Sequence, residues 1–360
     1  MSTVKSRSRI YAVLNVLLPL FFAFLVGAVF TIIIGYNPLV VYTEIIKNAF
    51  GSMTGWMQTL GFATPLIMTG IATAFCFKAG LWNIGVEGQL YMGAMGAAIV
   101  GGGYFFFDKL PAGLHMVIAI LVGALCGLIY AAIPALMKAY LSVNEVVTTI
   151  MLNYAATYFT AYLVKAHFQG SQTFDATEEV MAGAAIPKFL SRYRVTWAVI
   201  LAVVIVLVIW FVEARTKFGY EISAIGRQLE FSEAAGMRVK KKILIIFLIS
   251  GAIAGTAGAT EILGVNKYFI PNFSTNPGLG WQGYFICVLS KHNPLAVLII
   301  ALIFGGFRYG SITVQSSMGI PLDLVNIIQG ALIIFYSIQY VSDNTRIFKR
   351  MTAKLEAKRS

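Results

Sequence analysis

Charge is what this chain has least of. Only 12% of its 360 residues are Asp, Glu, Lys or Arg, against roughly 25% in ordinary globular domains. With 58% hydrophobic residues beside so little charge, a disordered chain or a fibre is excluded. Histidine is scarce too. His115, His167 and His292 fall near the ends of apolar runs or in connections, far apart in the expected topology, so no nucleophile and base come together. Cys76, Cys126 and Cys287 each lie inside an apolar run, and none sits at metal-ligand spacing from another Cys or a His. They read as buried small hydrophobes, with no redox or metal role. No GxxxxGK[ST] phosphate loop occurs. If this chain moves a solute uphill, the energy is spent on another subunit.

What is present is apolar length, with a mean hydropathy of +0.79. A soluble core of this size has no room for so much apolar surface, because even a 300-residue domain leaves about a quarter of its unfolded-chain area in water. The remaining solvent is lipid. A net charge of +12 would otherwise suggest nucleic acid, through counterion release. Here the basic residues stand between apolar runs, where they set membrane orientation and attract anionic headgroups. The expected surface partner is membrane lipid, with no nucleic acid.

An uncharged stretch from Ile10 to Ile34 follows Lys5, Arg7 and Arg9. At ~1.5 Å per residue it exceeds the ~30 Å hydrocarbon core and is too long for the apolar region of a cleaved signal, so it is expected to remain as a spanning helix. Nine more spans are expected at roughly 57 to 78, 88 to 107, 112 to 137, 145 to 164, 195 to 212, 243 to 264, 280 to 290, 294 to 309 and 320 to 340. Ten crossings from a cytoplasmic start put 19 of the 27 Lys and Arg inside. The run 280 to 290 is about half a bilayer long. Dropping it would send the basic tail from Arg346 to Arg359 outward, against the positive-inside bias. Both termini are therefore expected in the cytoplasm.

With ten crossings, residues 57 to 164 start outside and residues 243 to 340 start inside. Two four-helix groups of opposite orientation make an inverted repeat within one transmembrane domain over residues 1 to 360. Each group breaks after its first helix in a glycine-containing connection, 79 to 85 and 276 to 283. The expected fold is an all-α integral membrane protein of about ten transmembrane helices.

Polar residues in lipid need protein or water beside them. Glu87, Glu145 and Glu261 qualify, with Asn83, Gln89, Asn144 and Asn153 as polar companions. For the stretch Asn83 to Gln89 two readings stand: a substrate path, or helix capping with hydrogen bonds to a neighbouring helix. Glu145 follows Ser142 and Asn144 at a helix start, where capping accounts for it. Glu261 follows Gly251, Gly255 and Gly258 on a helix suited to close packing, and is expected near the outer mouth or in a subunit contact. The run Gly93 to Ala98 also reads as helix packing.

Residues 213 to 242 form the longest internal loop. Tyr220, Ile222, Ile225 and Leu229 recur at helical spacing and give one apolar face, and the basic run Arg238, Lys240, Lys241 and Lys242 follows. That face lies on the headgroups or docks into a groove of a cytoplasmic partner.

Four stretches together carry a resemblance: Phe77 to Gln89 (FKAGLWNIGVEGQ), Asn144 to Thr149 with Asn153, Thr216 to Gly236, and Leu289 to Pro294 (LSKHNP). They resemble the membrane permeases of bacterial ABC importers in the ribose and branched-chain amino acid permease superfamily, over nearly the whole chain. The first stretch looks most like the nucleoside (guanosine-type) branch, which works with a lipoprotein receptor. The resemblance implies a type II-like importer that translocates nucleosides across the bacterial plasma membrane. It implies a second permease subunit, identical or different, two cytoplasmic ABC ATPase subunits and an extracytoplasmic substrate-binding protein. ATP hydrolysis then belongs to the partner, and the chain is not an enzyme and holds no cofactor or metal. Residues 219 to 236 are implied to be the coupling helix, so ATPase contact is expected from Tyr220, Ile222, Ala224, Ile225, Gly226, Arg227, Glu233, Ala234, Ala235 and Gly236. Candidate substrate-path residues are Asn83, Glu87, Gln89, Asn153 and Glu261. Glu233-Ala234-Ala235 is similar to the EAA loop of another importer type, but Gly236 follows at once where that motif's glycine comes several residues later, and the similarity is chance. The alternatives are a simple-sugar (ribose-like) ABC permease and, from another class, a proton-coupled secondary transporter working through Glu87 or Glu261.

Overall fold

The computed structural model describes residues 21–274, 278–321, 326–328, 330, 331, 334 and 335. The basic N-tail, Asn276 and Pro277, most of the expected span 320 to 340 and the basic C-tail lie outside them. Apart from one isolated bridge between Lys188 and Thr196, the described residues form helices and connections. They divide into two compact units, Met1–Asn48 with Phe307–Ser360, and Ala49–Gly306.

In the first unit, α1 (Phe21–Ile33) meets α2 (Pro38–Phe50) at a bend of 116°. No sequence pattern had marked α2, yet its start is well specified. Pro38 takes the first helical position, where its missing N–H costs nothing, and the Asn37 side chain accepts from the Leu39 N–H at 3.0 Å. The hydroxyls of Tyr36 and Tyr42 donate to the Met318 and Phe24 carbonyls at 2.7 and 2.8 Å. Val41, Ile45, Val314, Ile320 and Ile328 form this unit's apolar centre.

The second unit holds α3 (Met53–Lys78), α4 (Val86–Gly101), α5 (Leu114–Leu141), α6 (Glu145–His167), α7 (Ala198–Arg215), α8 (Lys217–Arg227), α9 (Leu229–Ala234), α10 (Val239–Glu261), α11 (Leu279–Leu289) and most of α12 (Pro294–Met318). A helix therefore stands at every expected span from 57 to 309. Five are long and apolar enough to cross a membrane, or six if α1 and α2 form one broken span. The shortfall from ten has physical reasons. With 16 and 11 residues, α4 and α11 reach only ~24 and ~17 Å. The 23-residue α6 is long enough but too polar.

Burial sorts the apolar helices. The apolar windows of α3 and α10 are 83% and 72% buried, whereas those of α5 and α7 are 22% buried. α10 packs on α3, α4 and α5. Glycines permit this: a Cβ on Gly93 of α4 or on Gly127 of α5 would collide with the backbone of Gly255 on α10. These close approaches are the packing expected of small-residue runs.

Two helices break where the sequence is rich in glycine. α3 ends in a left-handed turn at Gly80, φ +70°, with the Gly80 and Leu81 N–H groups donating to the Phe77 and Cys76 carbonyls at 3.0 and 3.1 Å. Residues 81–85 then run without helix to α4. α10 is extended by a π-helical turn, Ile262–Asn266, and stops at left-handed Lys267. The long connection between α6 and α7 is tied down by backbone bonds, including Val180 to the Lys267 carbonyl at 2.6 Å and Ile186 to the Leu263 carbonyl at 3.0 Å.

Candidate functional site

The break between α3 and α4 gathers most of the flagged polar residues. Asn83 is fully buried, and its amide pairs with that of Gln89, each donating to the other at 3.1 Å. Asn83 also donates to the Ser250 hydroxyl of α10 at 2.9 Å and accepts from the Gly85 N–H at 3.1 Å. Ser250 in turn donates to the Ala72 carbonyl at 2.8 Å. Asn153 reaches in from α6, accepting from the Gly88 N–H at 2.8 Å and donating to the Ile84 carbonyl at 2.9 Å. It thereby satisfies one orphan donor of the α4 start and one carbonyl of the non-helical run. The network reads as a clamp whose members are partnered within the chain.

Glu87 lies in the first turn of α4 and is 6% exposed. Its carboxylate accepts from the backbone N–H groups of Gly280 and Trp281 and from the Ser274 hydroxyl. It therefore sits between the starts of α4 and α11, where two helix dipoles favour a negative charge. A Cβ on Gly278 or Gly280 would strike this side chain, which gives the second glycine-rich connection a steric reason. The Ser274 hydroxyl accepts from the Leu279 N–H at 2.8 Å, and the Tyr91 hydroxyl accepts from the Ser274 N–H at 3.3 Å.

Glu261 stands apart from this group. It is 4% exposed and forms an ion pair with Arg194. The Arg194 guanidinium also lies 4.4 Å from the centre of the Phe62 ring, and its backbone N–H donates to Gln58 at 3.2 Å. Glu145 has a partner too, Lys138 at 2.7 Å, and the cap of α6 is Asn144, which accepts from the Val146 N–H at 2.9 Å. Ser250, Ser274 and Arg194 carry these contacts without having been singled out in the sequence. A lone serine on a small-residue helix is indistinguishable from a packing residue, and Arg194 reads as one more orienting charge. The pairing of Lys138 with Glu145 had a signal, since opposite charges flank a short turn.

The loop between α7 and α10 folds as α8 and α9. Ile222 and Ile225 are buried against the chain's own core, whereas Tyr220 is 69% exposed. The expected apolar face thus divides: its centre is used internally and its edges remain outward. Gly226, Arg227, Glu233, Ala234, Ala235 and Gly236 are exposed, and Ala224 is half-buried. Gly226 packs so closely on the end of α3 that a Cβ there would meet the Lys78 carbonyl and Ala79. Glu221 pairs with Lys242, whose ammonium lies 4.8 Å over the Phe218 ring. Beside α8 opens a cleft of about 620 Å³, lined by Lys217, Tyr220, Arg238, Lys241, Ala235 and Gly236 among others. Lys78 faces Glu213 at 3.8 Å. In the turn before α12, burial and the nearby Lys78 charge hold the His292 imidazole below its usual pKa. Among the described residues no cluster of three or more His, Cys, Asp or Glu could hold a metal ion.

A family model for the permease component of branched-chain amino acid transport systems matches residues 55–337. The guanosine ABC transporter permease protein NupP of Bacillus subtilis is 33% identical over 87% of this chain and 90% of its own length. The nucleoside ABC transporter permease protein NupB of Lactococcus lactis is 28% identical, covering 91% of this chain and 92% of its own. The glucose ABC transporter permease protein TsgB13 of Haloferax volcanii is 31% identical over 87% and 84%. No solved structure matches the chain.

Proposed function

The chain belongs to the family of branched-chain amino acid transport system permease components, and from that membership we propose that it is the membrane permease subunit of an ABC importer for nucleosides. The observation that carries this reading is similarity to the guanosine and nucleoside permeases along nearly the full length of both chains. The chain is a multi-pass protein of the plasma membrane. It works beside a second permease subunit, two cytoplasmic ATPases and an external binding protein, with ten spans, an inverted repeat and both termini inside. Support for the repeat comes from reciprocal packing: α3 against α11, and α4 against α10.

α8 and α9 form the coupling element. Gly226 rests on the Lys78 carbonyl and Ala79 at the end of α3, so a push on α8 reaches the break that Asn83, Gln89 and Asn153 hold together. The nucleotide state shifts the balance of inward and outward forms through its differential affinity for them. A glucose permease is the second reading, favoured by the 31% identity to TsgB13. Proton coupling has less support, because Glu87 binds helix N–H groups and Glu261 is ion-paired with Arg194.

Vesicles carrying the permease pair, receptor and ATPase decide the matter. ATP should drive concentrative guanosine uptake that excess glucose does not suppress. Accumulation under a proton gradient without ATP would eliminate the ABC reading, and guanosine uptake abolished by glucose would move the chain to the sugar branch.

A further inference from the structure

We propose that the outward face of α6 is a wall of the substrate passage, with Tyr154, Tyr158 and Tyr162 forming a ladder on which a nucleobase stacks as it crosses. α6 has 23 residues, about 34 Å at 1.5 Å per residue, yet it is not among the helices whose length and composition suit a membrane crossing. Its inner face is committed to this chain through Asn153, Ala156, Thr160 and Val164. The opposite face carries Val147, Met151, Tyr154, Tyr158 and Tyr162, all exposed, the three tyrosines by 62, 74 and 58%.

The neighbouring peripheral helices show what a lipid-facing surface looks like here. α5 exposes Val117, Leu121, Leu125, Ile129 and Ile133, and α7 exposes Ile200, Val204, Leu207 and Val208. Their exposed aromatic residues stand at or near helix ends, as at Tyr140, Trp197, Trp210 and Phe211, the depth such side chains favour in a bilayer. Tyr154 and Tyr158 are instead the tenth and fourteenth residues of α6. A phenol hydroxyl left unbonded in hydrocarbon is unfavourable, because the hydrogen bonds it makes in water are not replaced. Elsewhere in the chain the hydroxyls of Tyr36, Tyr42, Tyr91, Tyr104 and Tyr130 are hydrogen-bonded. No such bond engages Tyr154 or Tyr158 among the described residues. Water in a passage satisfies these hydroxyls where lipid does not.

The ligand chemistry rests on the nucleoside reading above. A base has a flat π-face and stacks on an aromatic ring whichever base it is. Successive rungs four residues apart rise about 6 Å, so the solute moves between weak sites without a tight one to leave.

The test is cysteine accessibility in the complete importer in vesicles, with Cys76, Cys126 and Cys287 first replaced by serine. Tyr154→Cys and Tyr158→Cys should react with a membrane-impermeant cationic methanethiosulfonate at least tenfold faster than Leu125→Cys and Ile129→Cys, and guanosine should slow the reaction. Equal reactivity at positions 158 and 129 would overturn the proposal, and so would oxidative cross-linking of Tyr158→Cys to a second permease without labelling, which marks a closed interface. Tyr158→Phe should keep guanosine uptake within about twofold, while Tyr158→Leu loses at least tenfold at equal membrane level. Unchanged uptake in Tyr158→Leu removes the stacking role. Labelling needs no transport, so absence of guanosine uptake by the parent importer counts against the nucleoside reading alone.

Discussion

The break between α3 and α4 and the loop formed by α8 and α9 are both rich in polar residues, but their polar groups end differently. At the break, Asn83, Glu87, Gln89 and Asn153 are buried and hydrogen-bonded within the chain. In the loop, Tyr220, Arg227 and Glu233 face outward, and Tyr220 borders an open cleft. Buried polar groups that are satisfied internally fix a shape, because opening them exposes donors and acceptors to a medium that cannot replace the bonds. Exposed groups leave room for a partner. Gly226 joins the two regions, since it lies in the loop and touches the backbone before the break.

The ion pair of Arg194 and Glu261 carries the largest expected effect on the closed side of this comparison. Removing one partner leaves a buried charge uncompensated, at about 3–5 kcal/mol. Arg194→Leu should therefore abolish recovery of monodisperse permease after mild heating in detergent, and Arg194→Leu with Glu261→Leu should recover much of it. If the single variant is as heat-resistant as the parent, the pair does not hold the fold. Next comes the clamp. Asn153→Leu strips partners from the Gly88 N–H and the Ile84 carbonyl, each worth about 1–3 kcal/mol when stranded. Its thermal midpoint should fall clearly below that of the parent, whereas Asn153→Gln, which keeps both an amide acceptor for Gly88 and an amide donor for Ile84, falls less. Equal midpoints for the two would break the clamp.

The helices were legible because apolar runs and breaking residues coincide, so a helix stands at each expected span between 57 and 309. Whether α4 and α11 cross lipid was not legible, because length and hydropathy do not tell a short helix buried in protein from one that spans. The apolar face of the loop formed by α8 and α9 could be read from spacing, but not which half of it the chain keeps: Ile222 and Ile225 go inward and Tyr220 outward. Glu87 and Glu261 stood out as charges in apolar surroundings, yet their partners are a helix start in one case and an arginine 67 residues away in the other. Spacing carries no record of such long-range pairs.

On the open side, Ala235→Glu tests the proposed coupling role of α8 and α9 without touching the interior, because Ala235 is exposed at the cleft. Membrane level and thermal midpoint should match the parent, while guanosine-stimulated ATPase activity of the assembled importer drops about tenfold, or ~1.4 kcal/mol of coupling. Gly226→Arg is the less discriminating change, since its side chain would begin in contact with the Lys78 carbonyl. It should lower the thermal midpoint as well as coupling. A Gly226→Arg permease as stable as the parent would separate α8 from α3 mechanically.

The smallest effect is expected at His292, where the two regions meet. Its ring lies 5.4 Å from Phe77, just ahead of the break, and burial followed by the Lys78 charge lowers its pKa from the ordinary 6.5. As pH falls through about 6.5, the unfolded chain takes up a proton that the folded chain still refuses. The unfolded state then binds more protons, so stability falls with decreasing pH until the folded imidazole also protonates. Above about pH 7 both states are neutral and the contribution vanishes. The thermal midpoint in detergent should thus decline on the order of 1 °C more between pH 7 and pH 5 for the parent than for His292→Gln, the Lys78 repulsion being partly screened by solvent at this half-exposed turn. Identical slopes for the two proteins would mean that the imidazole protonates as readily in the folded turn as in water, and that Lys78 is held away from it by Glu213.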